Sequence, residues 1–580
     1  PMKRSNFTAM LLCLATFPFG TSAVLAQTPP IADSVHHPNG GRNGMVVSED
    51  RIAAQVGSDI LARGGNAVDA AVATSFALAV TYPRAGNIGG GGFMLVHLRE
   101  SGETVAIDYR EMAPAAASRD MYLDGQGNVD QQAILHSHKS SGVPGTVAGL
   151  LYAQDKFGKL SRREVMAPAI ALAEKGFMLS YFAASVMAGG RDVLSANPAA
   201  FAEFFKEDGS DYLPGEKMRR PDLARTLKEI SIKGRDGFYR GRVANLIADD
   251  MAANQGLITL EDLASYRVAE RRPVTGTYRG YEIHSMPPPS SGGVHLIQML
   301  NMLETRPPYT SDGDSAAQLH FLAEVMRRAY ADRSEHLGDP DFATVPTQGL
   351  VSKDYARSLV AGIEMGRATS STDMGPANPE LFQESPDTTQ VSVIDREGNM
   401  VANTYTLNLS YGSGIVVPGT GILLNNEMDD FSASPGVPNA YGLVGGEKNS
   451  IVARKRPLSS MTPTLLFKDG EPFMATGAPG GARIITAVLN VIVNVIDRDM
   501  NVADATDHPR IHHQWLPDQL YYEPGLSEDS KTLLESMGHT VTPFDWHARP
   551  QTAIRRDGWV YGYTDTRVPS GGACSPDGGC

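Results

Sequence analysis

The sequence predicts an α+β fold, with helices dominating the first two-thirds of the chain and strands the last third. Helical periodicity recurs at 48–65, at 67–80 and through most of 140–368, whereas hairpin patterns follow Thr388. At 580 residues the chain exceeds the usual size of a single core, which predicts two domains or one large layered assembly. A hydrophobic content of 42% and a charged content of 20% are typical of a globular protein.

The N-terminus has the three parts of a signal peptide. Lys3 and Arg4 precede an apolar run over 9–19, and small residues at 24–26 form a cleavage site. The run is too short to serve as a membrane anchor. We therefore expect residues 1–26 to be removed and the protein to be periplasmic or secreted. The formal net charge of −14 argues against a nucleic-acid or anionic-membrane partner.

The first helical segment, 48–65, is amphipathic and ends at two glycines, and the second, 67–80, is apolar throughout. A glycine-rich run at 86–92 then precedes strands predicted at 93–97 and 104–109. A dinucleotide fingerprint needs its glycines after a strand and before a helix, which is the reverse order. We interpret these glycines as positions of close backbone packing, and no cofactor is expected.

A polar, proline-containing linker at 369–387 leads into a strand that begins at Thr388. A threonine hydroxyl is a weak nucleophile unless a base lies beside it, and its own α-amine can be that base when the threonine is an N-terminus. A cut between Asp387 and Thr388 would create such an N-terminus. We therefore predict that the chain cleaves itself at this bond and that Thr388 is then the catalyst.

The predicted strand 388–394 turns at 395–399 and returns as 400–407. If the hairpin is centred on Glu397, Thr406 lies opposite Thr388, within side-chain reach. The Thr406 hydroxyl can then hydrogen-bond the hydroxyl of Thr388.

A second hairpin runs from 463 to 477, with its turn at Asp469-Gly470. It places Ser460 opposite Gly480, and Gly480-Gly481 opens an apolar helix predicted over 482–496. Free N–H groups at a helix start, with no side chain to block approach, suit a developing oxyanion.

Charged and hydroxyl side chains elsewhere could together bind the α-amino-acid end of a substrate. Carboxylates of the segment 425–430 can receive an ammonium group, and Arg110 with the Ser459-Ser460 hydroxyls can receive a carboxylate. A solvated turn is an equally simple reading of 425–430 taken alone.

Cysteines and histidines give weaker signals. Cys574 and Cys580 either close a small disulfide or belong to a loose glycine-rich tail. His508 and His512 would lie on one face of a helix and could bind a metal there, with His513 beside them. Because Pro509 interrupts that helix and no carboxylate is obviously placed, no metal site is predicted.

Seven motifs together resemble the gamma-glutamyltransferase (gamma-glutamyl transpeptidase) family of the N-terminal-nucleophile hydrolase superfamily. The resemblance covers the chain from about residue 48 to about Arg567, and the tail beyond is unlike the family's usual end. The motifs occur in the family's order, at 108–114, 287–293, 388–389, 404–408, 425–430, 457–461 and 479–481.

The resemblance implies a four-layer αββα sandwich and a precursor cut after Asp387 into a large subunit (27–387) and a small subunit (388–580) that stay associated. It implies that Thr388 attacks the γ-carbonyl of glutathione or a related γ-glutamyl compound, with water, an amino acid or a peptide as acceptor. Thr406 would orient the nucleophile and Gly480-Gly481 would form the oxyanion hole. The residues implied for substrate binding are Arg110, Ser459 and Ser460 for the α-carboxylate, Asn408, Glu427 and Asp430 for the α-amine, and Tyr441 in a lid loop at 435–446.

Two alternatives stay open at this point. A cephalosporin (glutaryl) acylase shares the fold and the self-cleavage, but a glutaryl group has no α-amine for Asp430 to bind. A non-catalytic periplasmic amino-acid-binding protein would need no cut at Thr388.

Overall fold

The computed structural model describes residues 36–310, 314–374, 387–437, 443–544 and 548–580. The predicted signal peptide and Tyr441 lie outside these residues. Within them, no helix has both the length and the apolar character needed to cross a membrane.

Nineteen α-helices are formed by the described residues. In chain order they are α1 Arg51–Ala62, α2 Ala67–Thr81, α3 Gln131–His136, α4 Thr146–Phe157, α5 Arg162–Lys175, α6 Tyr181–Gly189, α7 Arg191–Ser195, α8 Pro198–Phe204, α9 Pro221–Lys233, α10 Asp236–Tyr239, α11 Gly241–Ala253, α12 Leu260–Ser265, α13 Gly292–Leu303, α14 Ala316–His336, α15 Thr347–Leu350, α16 Lys353–Ala361, α17 Ile484–Ile496, α18 Val502–Asp507 and α19 Glu528–Ser536.

The same residues form twenty-one strands. They are β1 Asn39–Gly41, β2 Gly44–Ser48, β3 Gly91–Leu98, β4 Glu103–Tyr109, β5 Phe177–Met178, β6 Lys217–Met218, β7 Ala269–Arg271, β8 Val274–Tyr278, β9 Tyr281–Ser285, β10 Thr388–Asp395, β11 Met400–Thr406, β12 Val416–Val417, β13 Ile422–Leu423, β14 Thr464–Lys468, β15 Glu471–Gly477, β16 Ile511–His512, β17 Leu520–Tyr522, β18 Val541–Pro543, β19 Gln551–Arg556, β20 Trp559–Thr564 and β21 Gly572–Cys574.

Two seven-stranded antiparallel sheets form the centre of the molecule. The first has the strand order β21-β2-β10-β11-β3-β4-β7 and the second the order β1-β20-β19-β15-β14-β9-β8. The sheets pack face to face through β10 and β11 on one side and β15 and β19 on the other. Helices α1, α2 and α4 cover the outer face of the first sheet, and α13, α17 and α18 cover that of the second. The predicted four-layer αββα sandwich is confirmed.

The alternation of side chains along β10 determines on which face of the first sheet Thr388 lies. Val391 and Val393 belong to the core cluster that includes α2, whereas Ser392 donates a hydrogen bond of 2.8 Å to the Gln551 carbonyl in β19. Since successive side chains of a strand point to opposite faces, Thr388 lies on the Ser392 face, toward the second sheet.

The glycine-rich run packs as predicted, against backbone. A Cβ built on Gly89 would lie 2.0 Å from the Leu423 carbonyl oxygen, and one on Gly90 would lie 1.9 Å from that of Thr406. No side chain fits at these positions, so the run brings the start of β3 directly against the end of β11.

One prediction about local structure is wrong, and one mainly helical region also contains strands. Ser48 is the last residue of β2 and not helical, because Asp50 caps α1 by accepting from the Ala53 amide. The region 140–368 also contains β8 and β9, whose two-residue turn at Arg279-Gly280 has positive φ at both positions (50° and 85°). This hairpin forms one edge of the second sheet.

The C-terminal tail is ordered by sheet pairing. Strand β21 pairs with β2, with Cys574 opposite Val46, and Cys574 forms a disulfide with Cys580. Of the two alternatives for this tail, the structure has the disulfide.

Candidate active site

The Thr388–Thr406 register is confirmed, and the two residues are opposite each other in the β10–β11 pair. Thr388 is 3% exposed, and its hydroxyl lies 3.4 Å from that of Thr406. Thr406 Oγ1 donates to the Asp387 carbonyl oxygen at 2.9 Å and accepts from the Asn408 amide at 2.9 Å. One hydroxyl therefore touches both partners in the predicted cleavage, the attacking hydroxyl and the carbonyl that it would attack.

The second hairpin brings glycines and serines to the same place. Its register near the site is the predicted one, with Thr464 opposite Thr476, and an irregularity between Leu466 and Phe467 is confined to its far end. Gly480 and Gly481 follow β15 with φ of 138° and 53°. A Cβ on Gly480 would lie 2.6 Å from that of Ala548, so both conformation and space require glycine here. The predicted helix starts as a 3-10 turn, Gly481–Arg483, before α17.

A cavity of about 300 Å³ joins these elements. Its walls combine the Thr pair, charged side chains, the Ser459-Ser460 hydroxyls and the glycine turn. The lining residues are Arg110, Arg333, Thr388, Thr406, Asn408, Glu427, Asp430, Leu443, Ser459, Ser460, Met461, Gly481 and Ile484. The structure thus brings together nine of the predicted site residues, with Gly480 directly before Gly481.

Arg110 is the centre of a buried charge network in this cavity. It is fully buried and pairs with Glu427 and Asp430, while Glu111 lies 3.6 Å away. Its guanidinium also donates to the main-chain oxygens of Pro457 and Leu458 at 3.3 and 3.2 Å. Arg110, predicted to bind a substrate carboxylate, is therefore in direct contact with Glu427 and Asp430, predicted to bind its amine.

Three carboxylates surround one arginine, and the two glutamates among them are fully buried. Burial raises the pKa of Glu111 and of Glu427 above the usual glutamate range, and the attraction of Arg110 offsets this only in part. The two glutamates therefore retain a proton more readily than an exposed pair would. The site is suited to a zwitterion, whose carboxylate and ammonium replace these internal partners.

Asn408 is held in an unusual backbone conformation beside the network. Its φ is +78°, in the left-handed region, and its side-chain amide donates to the Asn426 carbonyl at 2.9 Å. The Asn408 amide that binds Thr406 and the Asn408 side chain in the cavity therefore belong to one hydrogen-bonded turn at the end of β11.

Arg333, from α14, is a cavity residue that the sequence analysis missed. It is 4% exposed and donates to the hydroxyls of Ser460 at 3.2 Å and Ser291 at 3.0 Å. Among the described residues, no carboxylate lies within ion-pair distance of it, and burial lowers its pKa to about 10. No local signal separates it from Arg327 and Arg328 in the same helix, which pair with Glu324.

A second charge cluster surrounds the carboxylate of Asp387. Arg84 pairs with it, and Arg549 lies 3.8 Å away while binding Glu49 at 2.7 Å. Asp387 is 1% exposed. These partners come from distant parts of the chain, so no spacing in the sequence indicates them.

The three histidines of the C-terminal region do not converge. His508 follows the end of α18 and binds Asp314, whereas His512 is in β16 and His513 binds Asp518. The helical His508–His512 pair that a metal site would need is not formed.

Comparisons with known proteins agree with this geometry. The family described as Gamma-glutamyltranspeptidase matches residues 53–574, which extends past Arg567 into the tail. The chain is 50% identical over 553 residues to the glutathione hydrolase proenzyme of Escherichia coli (strain K12), covering 94% of this chain and 95% of that protein. It is 38% identical over 522 residues to the acylase ACY 1 proenzyme of Pseudomonas sp. (strain SE83), covering 88% and 90%.

A solved structure with a similar fold is the cephalosporin acylase from Bacillus halodurans. It matches with a TM-score of 0.83 and 27% identity, over 98% of this chain and 99% of that chain. The N-terminal-nucleophile hydrolase type of fold is confirmed by this match together with the two stacked sheets.

Proposed function

This chain belongs to the gamma-glutamyltranspeptidase family, and we propose that it cuts itself between Asp387 and Thr388 and then transfers γ-glutamyl groups through the Thr388 hydroxyl. The observation that carries the proposal is the position of Thr406, whose hydroxyl contacts both the Thr388 hydroxyl and the Asp387 carbonyl oxygen. A purely structural strand pair needs no such contact.

Self-cleavage begins when Thr388 Oγ attacks the Asp387 carbonyl carbon. The carbon–nitrogen bond breaks, the Thr388 nitrogen takes a proton, and Asp387 is left as an ester on the Thr388 oxygen. Water then hydrolyses this ester, which frees the hydroxyl and leaves Asp387 as a carboxylate chain end. Thr406 supports the first step by donating to the oxygen on which negative charge develops.

The mature nucleophile has its own base. An α-amino group has a pKa of about 7.7–8.0 in model compounds, so near neutral pH a large fraction can accept the hydroxyl proton. Thr388 attacks the γ-carbonyl, the N–H groups at Gly480-Gly481 stabilise the oxyanion, and the amine leaves with a proton. Water or an acceptor amine then attacks the γ-glutamyl ester and releases the Thr388 hydroxyl.

Recognition of the donor follows from the charge network. Arg110, Ser459 and Ser460 bind the α-carboxylate, and Glu427, Asp430 and Asn408 bind the α-amine. When the carboxylate of a substrate binds Arg110, Glu427 and Asp430 lose this cation as a partner, and the substrate ammonium replaces it. A glutaryl group carries no ammonium and therefore provides no replacement. The network therefore favours glutathione and other γ-glutamyl compounds over the substrates of an acylase.

The organisation proposed for the mature protein is a large subunit, 27–387, and a small subunit, 388–580, in the periplasm or outside the cell. The sheets support the association of the subunits, since β10 and β11 pair with β2 and β3 of the large subunit. The Cys574–Cys580 disulfide supports an oxidising compartment.

The test is release of p-nitroaniline from L-γ-glutamyl-p-nitroanilide by the purified protein, beside Thr388→Ala and the glutaryl analogue. We expect two bands on a denaturing gel and release from the γ-glutamyl compound alone, with one full-length band and no release for Thr388→Ala. Preference for the glutaryl compound would move the function to an acylase. Normal cleavage of Thr388→Ala would contradict the assignment of Thr388 as the nucleophile. An uncut, inactive wild type would favour a binding protein.

A further inference from the structure

The carboxylate of Asp387 occupies a cationic pocket that the proposed reaction does not use. Arg84 is paired with it, and Arg549 is close but also bound to Glu49. The Arg84 side chain is 12% exposed and the Asp387 side chain 2%. Within the described residues, the ion pair of Arg84 is the one with Asp387.

Arg84 also borders a cavity different from the one that contains Arg110. This second cavity has about 330 Å³ and is mostly apolar, with Phe182, Val186, Met187 and Tyr411 among its lining residues. The Arg84 guanidinium lies 6.0 Å from the ring centres of both Tyr82 and Phe182. A cation at the edge of an apolar cavity is suited to a ligand with a carboxylate and an apolar side chain.

Self-cleavage changes the charge balance of this pocket. Asp387 is then a chain end, no longer bonded to Thr388, and its carboxylate can exchange with another. Arg549 keeps Glu49 as a partner, but Arg84 loses its partner whenever Asp387 leaves. A buried arginine that loses its counter-ion binds a replacement carboxylate favourably, since the arginine otherwise remains poorly solvated.

The reach of Asp387 matches that of an amino-acid acceptor. In Asp387, three bonds separate the carbonyl carbon next to Thr388 from the side-chain carboxyl carbon. In a γ-glutamyl amino acid, three bonds likewise separate the γ-carbonyl carbon from the carboxyl carbon of the attached amino acid. Because Arg84 pairs with the Asp387 carboxylate, its guanidinium lies within this reach of the carbonyl next to Thr388, and the apolar cavity borders the same arginine.

We propose that Arg84 and the apolar cavity beside it form the acceptor subsite of the mature enzyme, which binds the carboxylate and apolar side chain of an amino acid or short peptide after Asp387 has left. This rests on the proposed γ-glutamyl transfer. The bound acceptor's amine attacks the γ-glutamyl ester carbon, the Thr388 oxygen leaves and takes a proton, and a γ-glutamyl amide is released.

The first test compares methionine with methioninamide as acceptors for wild type and Arg84→Gln, with rates expressed per processed small subunit. We expect the variant to raise the KM of methionine ten-fold or more and to leave that of methioninamide within two-fold of wild type. The matched control is Arg99→Gln, which removes an exposed arginine paired with Glu471 and should change neither value. An equal effect of Arg84→Gln on both acceptors would overturn the subsite.

The second test needs no variant and covers the case in which Arg84→Gln fails to process. N-acetylmethionine has the carboxylate and side chain but no nucleophilic amine. It should inhibit transfer to methionine competitively, and absence of such inhibition would contradict the subsite. Release of p-nitroaniline by the wild type without acceptor separates the two proposals. If no p-nitroaniline is released, the proposed function is wrong. If release is normal but Arg84→Gln affects methionine and methioninamide equally, only the acceptor subsite is wrong.

Discussion

The hydroxyl of Thr406 donates a 2.9 Å hydrogen bond to the main-chain oxygen of Asp387. Because the Asn408 amide already donates to this hydroxyl, the Thr406 proton is directed at the carbonyl. The Thr388 hydroxyl, 3.4 Å away, then has an oxygen to donate to and its own lone pairs free for attack. In the proposed reaction, the Thr406 hydroxyl would activate the carbonyl before the bond is cut and would orient the nucleophile afterwards.

Thr406→Val is expected to slow self-cleavage by about 100- to 1,000-fold, the usual loss when one oxyanion donor is removed. Valine keeps the shape of threonine and removes only the hydroxyl. The measurement is the appearance of the small subunit with time on a denaturing gel. Thr406→Ser, which keeps the hydroxyl, is the control and should process within about ten-fold of wild type. If valine processes as fast as serine, the hydrogen bond to Asp387 has no part in the reaction.

The hairpins show how much of the site is predictable from sequence. A short turn fixes the register of an antiparallel pair, so the position of Glu397 was enough to place Thr406 opposite Thr388. In the second hairpin the turn pairs Lys468 with Glu471, one position away from a register centred on Gly470, and the irregularity between Leu466 and Phe467 restores the predicted register toward Gly480. The αββα architecture came from the family resemblance, since local patterns alone gave only α+β. The β8–β9 hairpin was missed because only one of its two turn residues, Gly280, is of a type that favours positive φ.

Long-range partners could not be predicted in this way. Arg84 and Asp387 are 303 positions apart, and Arg333 and Ser460 are 127 apart. Nothing in their neighbourhoods differs from an ordinary surface or ion-paired arginine. The tertiary fold alone decides which arginines face a cavity.

Asp430→Ala should raise the KM for L-γ-glutamyl-p-nitroanilide by about 10- to 100-fold while self-cleavage stays within a few-fold of wild type. The carboxylate pairs with Arg110 and lines the cavity that contains Arg110, and among the described residues no hydrogen bond joins it to Asp387 or Thr388. A charge-assisted hydrogen bond contributes about 1.5–3 kcal/mol, which sets this range. Asp430→Asn is the matched control, because it removes the charge and keeps the size of the side chain. An unchanged KM in both variants would remove Asp430 from the site.

The Glu427 carboxyl should make donor binding dependent on pH. Burial raises its pKa, so as pH falls it becomes neutral at a higher pH than an exposed glutamate would and no longer attracts the α-ammonium. The KM of wild type should therefore rise toward acid. The measurement is the ratio of wild-type KM to that of Glu427→Gln across pH, which cancels the titration of the Thr388 amine. The ratio should increase as pH falls, and a constant ratio would contradict a role for this charge.

Arg333 should act on the substrate α-carboxylate, directly or through Ser460. Its guanidinium donates to Ser460 Oγ, which leaves the Ser460 proton available for a bound anion. Arg333 also lines the cavity that contains Arg110, and no carboxylate of the described residues forms an ion pair with it. Arg333→Met keeps much of the apolar stem and removes the charge. We expect KM for L-γ-glutamyl-p-nitroanilide to rise about 10- to 100-fold, the range for one charge-assisted hydrogen bond.

A substrate that lacks the α-carboxylate separates this role of Arg333 from a general loss of structure. 4-Aminobutyryl-p-nitroanilide keeps the amine and the γ-carbonyl of the donor, so Arg333→Met should change its kcat/KM by less than two-fold. Arg333→Lys, which restores the charge, should recover part of the loss with the γ-glutamyl compound and make no difference with the analogue. Equal losses on both substrates would mean that Arg333 holds α14 against Ser291 and has no part in reading the carboxylate.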